Sequence, residues 1–310
     1  MNTELRQLRA GIMMALLLVV SLSACNKNNF IDPSPEVARE NDQQIRDYLN
    51  ANKLLNRVTP TTTGLYYLFT DTTSTRNKKP QYNEELEFTF ALSYIAGTKA
   101  ILLDSTKQTR STFIPFLRGM VVPGLEEGLL LMQEGQRAMF FMPSARAFGQ
   151  GKKDTIPANV PVVFDVALIR SRTEAEQIQE YVTRKKLGIP TFKPFVENTG
   201  DSVWVYRLSQ GTGPKVTEDK TVTVAYTATT LRGSAPFAKQ DTKEIRMGAT
   251  PPTDVAGLVT GLTALNVGDK ALFIFPSSLG YGAQGINDQT NYIVTPYAPL
   301  VYEVTVKSMR

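Results

Sequence analysis

The sequence contains no histidine, and its 310 residues include one cysteine and one tryptophan. Without histidine, neither a Ser-His-Asp triad nor a Cys-His pair can form, because both use imidazole as the general base. A single cysteine cannot form an intrachain disulfide, and the usual nitrogen and sulfur ligands of zinc are missing. We therefore expect no metal site and no cofactor.

Neither sign of charge dominates the sequence. The formal net charge is +5, and the basic residues form no run that is interleaved with aromatic residues. Proteins that bind nucleic acid usually carry such a basic patch. We therefore expect no nucleic-acid partner.

The one long hydrophobic run lies at the N-terminus, from Ile12 to Leu22, after Arg6 and Arg9. It is shorter than the ~20 residues that a membrane-spanning helix needs, and the pattern is typical of a secretory signal. Residues 22–25, Leu-Ser-Ala-Cys, resemble the lipobox of bacterial lipoproteins. This implies lipidation of Cys25 and anchoring in the bacterial cell envelope, with the outer membrane as the expected site and its face left open. The alternative is an ordinary signal peptide with an incidental cysteine.

The strongest internal pattern is a duplication, because residues 121–149 recur in altered form as residues 254–282. Four glycines of the first copy reappear at a constant offset of 133 residues. The pairs are Gly124 and Gly257, Gly128 and Gly261, Gly135 and Gly268, and Gly149 and Gly282. Solenoid repeats have periods of roughly 20 to 50 residues, so this longer period predicts two copies of a domain.

Each copy has the same internal order. Apolar residues at i, i+3, i+4 and i+7 predict a short helix from Leu125 or Leu258 onward. A turn glycine and an alternating apolar strand follow, and then a loop that carries an aromatic-glycine pair. We expect Glu126 and Glu127 to stabilise the N-terminus of the first helix electrostatically.

A helix is predicted before each copy, from Glu36 to about Leu54 and again 133 residues later, where Thr173 and Glu176 form a capping box. Few of its positions are apolar, so we expect these helices to pack lightly on the following domain or to act as spacers; a helix-mediated dimer stays open. The other elements read as strands: 65–69, 86–94, 162–168, 202–208, 221–229 and 300–306. The predicted class is α+β, with antiparallel sheets.

These patterns predict six segments. They are a lipoprotein signal peptide at 1–24, a tether at 25–35, an N-terminal helix at 36–56, a first domain at 57–172, a helical linker at 173–199 and a second domain at 200–310. Each domain is long enough to bury a core of its own. Oligomeric state is left open.

The duplicated stretch, with Ile156-Pro157 and residues 163–166 after it, resembles the signature of the FKBP-type peptidyl-prolyl cis-trans isomerases. The second copy follows the same order through residues 255–262, 267–270, 276–282 and 300–304. The resemblance implies two FKBP-like domains, each a curved antiparallel β-sheet wrapped on one short α-helix with an apolar cavity between them. It also implies prolyl isomerisation and folding assistance in the cell envelope, with proline-containing or unfolded polypeptides as clients.

The resemblance implies pocket positions in both domains. In the first they are Phe90, Asp104, Val122, Leu125, Phe148, Ile156 and Phe164. In the second they are Tyr226, Phe237, Val255, Leu258, Tyr281, Val294 and Tyr302. The backbone N–H of Val122 or Val255 is the group expected to meet the substrate carbonyl. Another wall aromatic is expected from Phe113 or Phe116, and the choice between them stays open.

Both copies depart from the family pattern. Leucine replaces the usual tryptophan at Leu125 and Leu258, Phe148 lacks the usual hydroxyl, and Ala238 stands where the second domain should have its aspartate. A segment from Gly285 to Ile293 is longer than usual and is expected to reshape the rim.

These departures leave alternatives open. One alternative is that the chain is a catalytically weak or inactive binding and chaperone module. Another is that it is a structural subunit of an envelope complex. A core-filling role is the alternative for each pocket aromatic, and a turn role is the alternative for Asp104. Since the first domain keeps Asp104, we expect it to be the more active one.

Overall fold

A computed structural model describes residues 35–106, 110–150 and 155–310. The predicted signal peptide, most of the tether and Cys25 lie outside these ranges. The chain divides into two compact units between Ser171 and Arg172, here called domain 1 and domain 2. Within the described ranges, no helix is both long and apolar enough to cross a membrane.

Domain 1 contains two helices and seven strands in its described part. In chain order they are α1 Pro35–Ala51, β1 Thr59–Pro60, β2 Tyr66–Asp71, β3 Glu85–Ala96, β4 Lys99–Ser105, β5 Thr112–Pro115, α2 Pro123–Leu131, β6 Arg137–Met142 and β7 Val162–Arg172. The strand order is β1-β2-β6-β7-β3-β4, with β5 also paired to β3. A single 3₁₀ turn, Ser144–Arg146, follows β6.

Domain 2 repeats this plan. Its elements are α3 Glu174–Lys185, β8 Phe195–Val196, β9 Asp201–Ser202, β10 Trp204–Ser209, β11 Thr221–Thr230, β12 Ala238–Arg246, α4 Ala256–Leu262, β13 Lys270–Phe275, β14 Ile286–Asn287, β15 Tyr292–Val294 and β16 Leu300–Met309. The main sheet has the order β10-β13-β16-β11-β12, which matches β2-β6-β7-β3-β4 strand for strand. A 3₁₀ turn, Ser277–Leu279, again follows the β6 equivalent.

The inner helix of each domain, α2 or α4, lies close against the sheet because glycines face the strand beneath it. A Cβ on Gly128 would stand 2.7 Å from the Phe140 ring, and one on Gly261 would stand 2.6 Å from the Phe273 ring. Leucines on the same helix faces are fully buried in the two main cores. The repeated glycines are therefore explained by helix-to-sheet distance.

An outer helix covers the other face of each sheet. In α1, Ile45 and Leu49 are fully buried against Phe141 and Val163, which alternate with residues of the main core along β6 and β7. In α3, Ile178 and Val182 pack in the same way on the second sheet. The predicted capping box is present, with reciprocal bonds between Thr173 and Glu176.

The predicted α+β class and the sheet wrapped on one short helix are confirmed. In the segment 173–199, α3 packs on the sheet of domain 2, which is one of the two roles expected for this helix. Both outer helices pack more extensively than their few apolar positions suggested. Each helix has apolar residues at i, i+3 and i+4 on one face: Ile45, Tyr48 and Leu49 in α1, and Ile178, Tyr181 and Val182 in α3.

Candidate active site

The aromatic cluster of domain 2 is centred on Tyr302, which is almost fully buried. Its ring centroid lies 5.2 Å from that of Tyr226 and 5.4 Å from that of Phe275. Phe237 meets Tyr302 edge-on at 6.2 Å and meets Tyr281 edge-on at 5.9 Å. Because Phe237 and Tyr281 are only half-buried, the cluster has a closed floor and open walls beside the N-terminus of α4.

Tyrosine hydroxyls give this cluster a polar element. The hydroxyl oxygens of Tyr281 and Tyr302 are 3.5 Å apart. Burial raises the pKa of Tyr226 to about 12, with smaller contributions from the Asp254 carboxylate and Tyr281. Burial, the Tyr281 hydroxyl and Asp254 also raise the pKa of Tyr302. Both hydroxyls therefore stay protonated near neutral pH, where they can donate hydrogen bonds.

Asp254 is a site residue that sequence reasoning missed. Its side chain is 12% exposed, its Oδ1 accepts the N–H of Val255 at 2.8 Å, and its Oδ2 lies 3.9 Å from the Lys243 ammonium. Domain 2 lacks a carboxylate at Ala238, but it has this one at the foot of α4. The available signal was the aspartate immediately before Val255, where domain 1 has Val121.

The corresponding cluster of domain 1 contains phenylalanine at the same places. Phe164 is fully buried, and its ring centroid lies 6.2 Å from that of Phe90, which is itself 6.1 Å from that of Phe88. Leu125 is fully buried in the same core, and Phe148 packs half-buried against it. Ile156 is also buried. The residues at these positions therefore provide no hydroxyl groups.

Strand register places Asp104 where domain 2 has Ala238. Two residues after Phe90, Leu92 pairs with Asp104, and two residues after Tyr226, Ala228 pairs with Ala238. Asp104 is half-buried beside a β-bulge, and no residue in the described ranges donates a hydrogen bond to its carboxylate.

The two helix-start valines have nearly identical backbones. Val122 has φ −58° and ψ 144°, and Val255 has φ −56° and ψ 139°. The carbonyl of each valine accepts a bond from the first turn of its helix. The N–H groups differ, because Val255 donates to Asp254, whereas no described residue accepts a bond from Val122.

Phe116 and Phe113 occupy different environments. Phe116 is fully buried and stacks on Tyr82 with ring centroids 4.9 Å apart, while Phe113 is 38% exposed. Glu126 accepts hydrogen bonds from the Tyr82 hydroxyl and from Gly119 N–H, both at 2.7 Å. Its carboxylate thus fixes the segment before α2, a role beyond the expected electrostatic one.

The long segment of domain 2 forms an ordered hairpin of β14 and β15. The Asp288 carboxylate accepts the N–H groups of Thr290 and Asn291, which closes the turn. Val294 is buried in the main core, and Ile293 is 48% exposed.

In the described ranges, no group of three or more acidic, histidine or cysteine side chains could hold a metal ion.

The fold of each domain is that of the prolyl isomerases of the FKBP type. The family model of the FKBP-type peptidyl-prolyl cis-trans isomerases matches residues 76–169 and 213–307. The chain therefore belongs to this family and contains two copies of its domain.

The chain is also similar to individual proteins and to a solved structure. The chain is 33% identical over 132 residues to the FKBP-type isomerase FkpA of Aeromonas hydrophila, covering 43% of this chain and 47% of the relative. It is 26% identical over 244 residues to FKBP9 of Mus musculus, covering 76% of this chain and 38% of that protein. The chain thus spans less than half the length of these relatives. A crystal structure of the three FKBP domains of wheat FKBP73 is 17% identical, with a TM-score of 0.36, covering 80% of this chain and 96% of that one.

Proposed function

We propose that this chain is a peptidyl-prolyl cis-trans isomerase with one site in each domain. The observation that supports this best is the aromatic cluster with a buried floor beside the N-terminus of the inner helix, present in both copies. A proline ring fits such a site because the ring is apolar, so its removal from water is favourable and it needs no charged partner.

The reaction needs no nucleophile, metal or base. Rotation about an X-Pro amide has a barrier of about 18–20 kcal/mol because the planar amide loses its resonance. A dry aromatic wall excludes water that would stabilise the charge-separated planar form, and a fitted shape favours the twisted form. The missing histidine is thus compatible with catalysis.

In domain 1, we assign the wall and floor to phenylalanine and leucine. Phe90, Leu125 and Phe164 surround the proline ring, and Phe148 and Ile156 close its sides. The Val122 N–H donates to the substrate carbonyl, and Asp104 provides the polar edge. In domain 2 the matching residues are Tyr226, Phe237, Val255, Leu258, Tyr281, Val294 and Tyr302.

We further propose that the protein is exported and anchored through a lipid on Cys25, and that it assists folding of exported proteins in the bacterial cell envelope. The signal-like residues 6–22 and the lipobox-like residues 22–25 support this. Mass spectrometry of the protein from its native membrane tests it. A diacylated Cys25 is expected, and an unmodified Cys25 contradicts the anchor.

The second candidate is a binding module without catalysis. One observation favours it for domain 2, where the Val255 N–H already has an acceptor, and another applies to both domains, where leucine replaces the family's tryptophan. Such a module holds proline-containing or unfolded clients without turning them over. Its structural form, a subunit of an envelope complex, predicts stable association with other proteins after gentle extraction.

One assay separates these functions. The full chain in mild detergent is mixed with a prolyl tetrapeptide, and isomerisation is followed by protease-coupled cleavage. An enzyme gives a rate that rises linearly with protein concentration. Saturable binding of a fluorescent unfolded client with no rate above background favours the binding module and contradicts isomerase function.

A further inference from the structure

A hydrogen-bond link joins the outer helix of each domain to the turn that carries the pocket aromatic. In domain 1, Oδ1 of Asn41 on α1 accepts the N–H of Ser144 at 2.7 Å. In domain 2, Glu174, 133 residues later on α3, accepts the N–H of Ser277 at 2.6 Å and its hydroxyl at 2.7 Å. Both helix residues lie outside the segments that match the family model, 76–169 and 213–307.

The two serines close the loops that hold the aromatics. The Ser144 carbonyl accepts the N–H of Gly149 at 2.7 Å, and the Ser277 carbonyl accepts the N–H of Gly282 at 2.8 Å. Phe148 or Tyr281 lies immediately before that glycine. The place of the serine backbone therefore fixes where the aromatic side chain leaves the loop.

In domain 1 the Asn41 side chain is hydrogen-bonded to both ends of the loop that holds Phe148. The Gly149 carbonyl accepts the N–H of Asn159 at 2.9 Å, and the Asn159 carbonyl accepts Nδ2 of Asn41 at 2.7 Å. One amide side chain thus ties the entry and the exit of the loop together.

Domain 2 has the same series of hydrogen bonds, except that its helix residue makes no bond to the exit of the loop. The Gly282 carbonyl accepts the N–H of Tyr297 at 2.9 Å, and Tyr297 has φ +56°, close to the +57° of Asn159. A carboxylate has no proton to donate, so Glu174 holds only the loop entry. Burial raises the pKa of Glu174, whereas the two bonds from Ser277 lower it.

Docking of the helices does not depend on these polar bonds. Ile45 and Leu49 on α1, and Ile178 and Val182 on α3, already attach the helices to the sheets. Asn41 is nevertheless 1% exposed, and a buried amide is tolerated where its hydrogen bonds are made. The repetition of the contact at equivalent positions points to the loop as its purpose.

We propose that Asn41 and Glu174 are positioning residues that hold Phe148 and Tyr281 in place through the backbone of Ser144 and Ser277. The outer helices are thereby part of both binding sites. The effect on loop order stands by itself, whereas the effect on rate rests on the proposed isomerase function.

The test uses the full chain with Asn41→Ala, and Glu40→Ala as the control from the exposed face of the same helix. The first readout is hydrogen exchange at Gly149, and the second is KM and kcat for a prolyl peptide. Asn41→Ala is expected to speed exchange about tenfold and to raise KM several-fold with little change in kcat, as loss of loop-closing hydrogen bonds predicts. Glu40→Ala is expected to leave both unchanged.

Domain 2 offers a conservative rescue. Glu174→Ala is expected to speed exchange at Gly282, while Glu174→Gln, which keeps an oxygen acceptor for Ser277, exchanges as the unmodified chain does. Both variants lose the charge at the start of α3, so their difference isolates the hydrogen bond. Fluorescence of Trp204, the single tryptophan and a neighbour of the buried α3 residues, verifies that the helix remains docked.

The outcomes separate the two proposals. Unchanged exchange at both glycines in the alanine variants overturns the positioning role, as does a Glu174→Gln variant that exchanges as fast as Glu174→Ala. If the unmodified chain shows no isomerase activity, the proposed function fails, and loop exchange alone still decides the positioning role.

Discussion

The two domains share one fold and differ in the chemistry of their sites. Domain 1 has phenylalanine where domain 2 has tyrosine: Phe90 and Tyr226, Phe148 and Tyr281, Phe164 and Tyr302. Domain 1 has the Asp104 carboxylate on β4, and the Val122 N–H at the start of α2 has no hydrogen-bond acceptor among the residues that the structure describes. Domain 2 has tyrosine hydroxyls and the Asp254 carboxylate at its site. That carboxylate accepts a hydrogen bond from the Val255 N–H.

Glycine spacing and strand alternation are the same in both domains and maintain the fold. A few residue substitutions between the domains account for the different chemistry of their sites. Val121 and Asp254 stand at the same place of the repeat. A valine there leaves the carbonyl-binding N–H available, and an aspartate satisfies it internally. We therefore expect domain 1 to be the more active isomerase and domain 2 to turn over more slowly at a more polar site.

The largest expected effect is on the shared scaffold. Gly128→Ala and Gly261→Ala each place a methyl group within 3 Å of a phenylalanine ring. Each is expected to destabilise its own domain by about 1–3 kcal/mol through overpacking. Urea unfolding followed by circular dichroism measures this. A neutral effect in one domain alone would show that the helices are not packed equivalently.

A smaller effect is expected at the carboxylate of domain 1. Asp104→Ala should lower kcat/KM of the full chain about tenfold, as loss of one hydrogen bond from a charged group predicts. Ala238→Asp is the matched variant, which gives domain 2 the same group. An unchanged rate for Asp104→Ala, together with loss of all activity in Tyr281→Phe, would reverse the ranking of the domains.

Asp254→Val gives domain 2 the residue that domain 1 has. It frees the Val255 N–H and is expected to raise the rate of domain 2 by about two- to fivefold, the value of one hydrogen bond. It also removes a negative charge near Tyr226, so the pKa of that tyrosine should fall below about 12. Isomerase activity in a chain whose domain 1 has been inactivated measures the change in rate. NMR titration of Tyr226 measures the change in pKa. A pKa that does not move would place Asp254 outside the site.

The smallest effect is expected at the loop aromatics. Tyr281→Phe and Phe148→Tyr exchange the two domains' residues, and each should change kcat/KM by less than about threefold, because only one weak hydrogen bond is involved. Removal of the Tyr281 hydroxyl should also lower the pKa of Tyr302, whose neighbour it is. A larger loss in Tyr281→Phe would make that hydroxyl part of the chemistry.

The fold was largely predictable from the sequence because its signals are local and repeated. The helix pattern from Leu125 and the Thr173 capping box depend on neighbours within a few residues, and the glycine offset of 133 residues shows the same local pattern in both halves. The docking of α1 and α3 was underestimated, since burial of Ile45 or Ile178 depends on a sheet face formed by distant strands.

The site was less predictable for the same reason. Alignment proposed Ala238 as a lost carboxylate, and only the fold shows that Asp254 lies among the tyrosines of domain 2. Tyr82 was missed because it is far in sequence from Phe116, on which it stacks. Contacts such as Asn41 to Ser144 join residues 103 positions apart, and no local pattern indicates them.

The most direct test compares Val122→Pro with Val255→Pro in the full chain. Proline has φ near −65°, close to the φ of both positions, so each change removes one N–H without a change of φ, and it also replaces a valine that packs in the core. Unfolding by urea controls for stability. Val122→Pro is expected to lower isomerase kcat/KM about tenfold, and Val255→Pro less than about twofold. Equal losses, or a larger loss in Val255→Pro, would contradict the assignment of catalysis to domain 1.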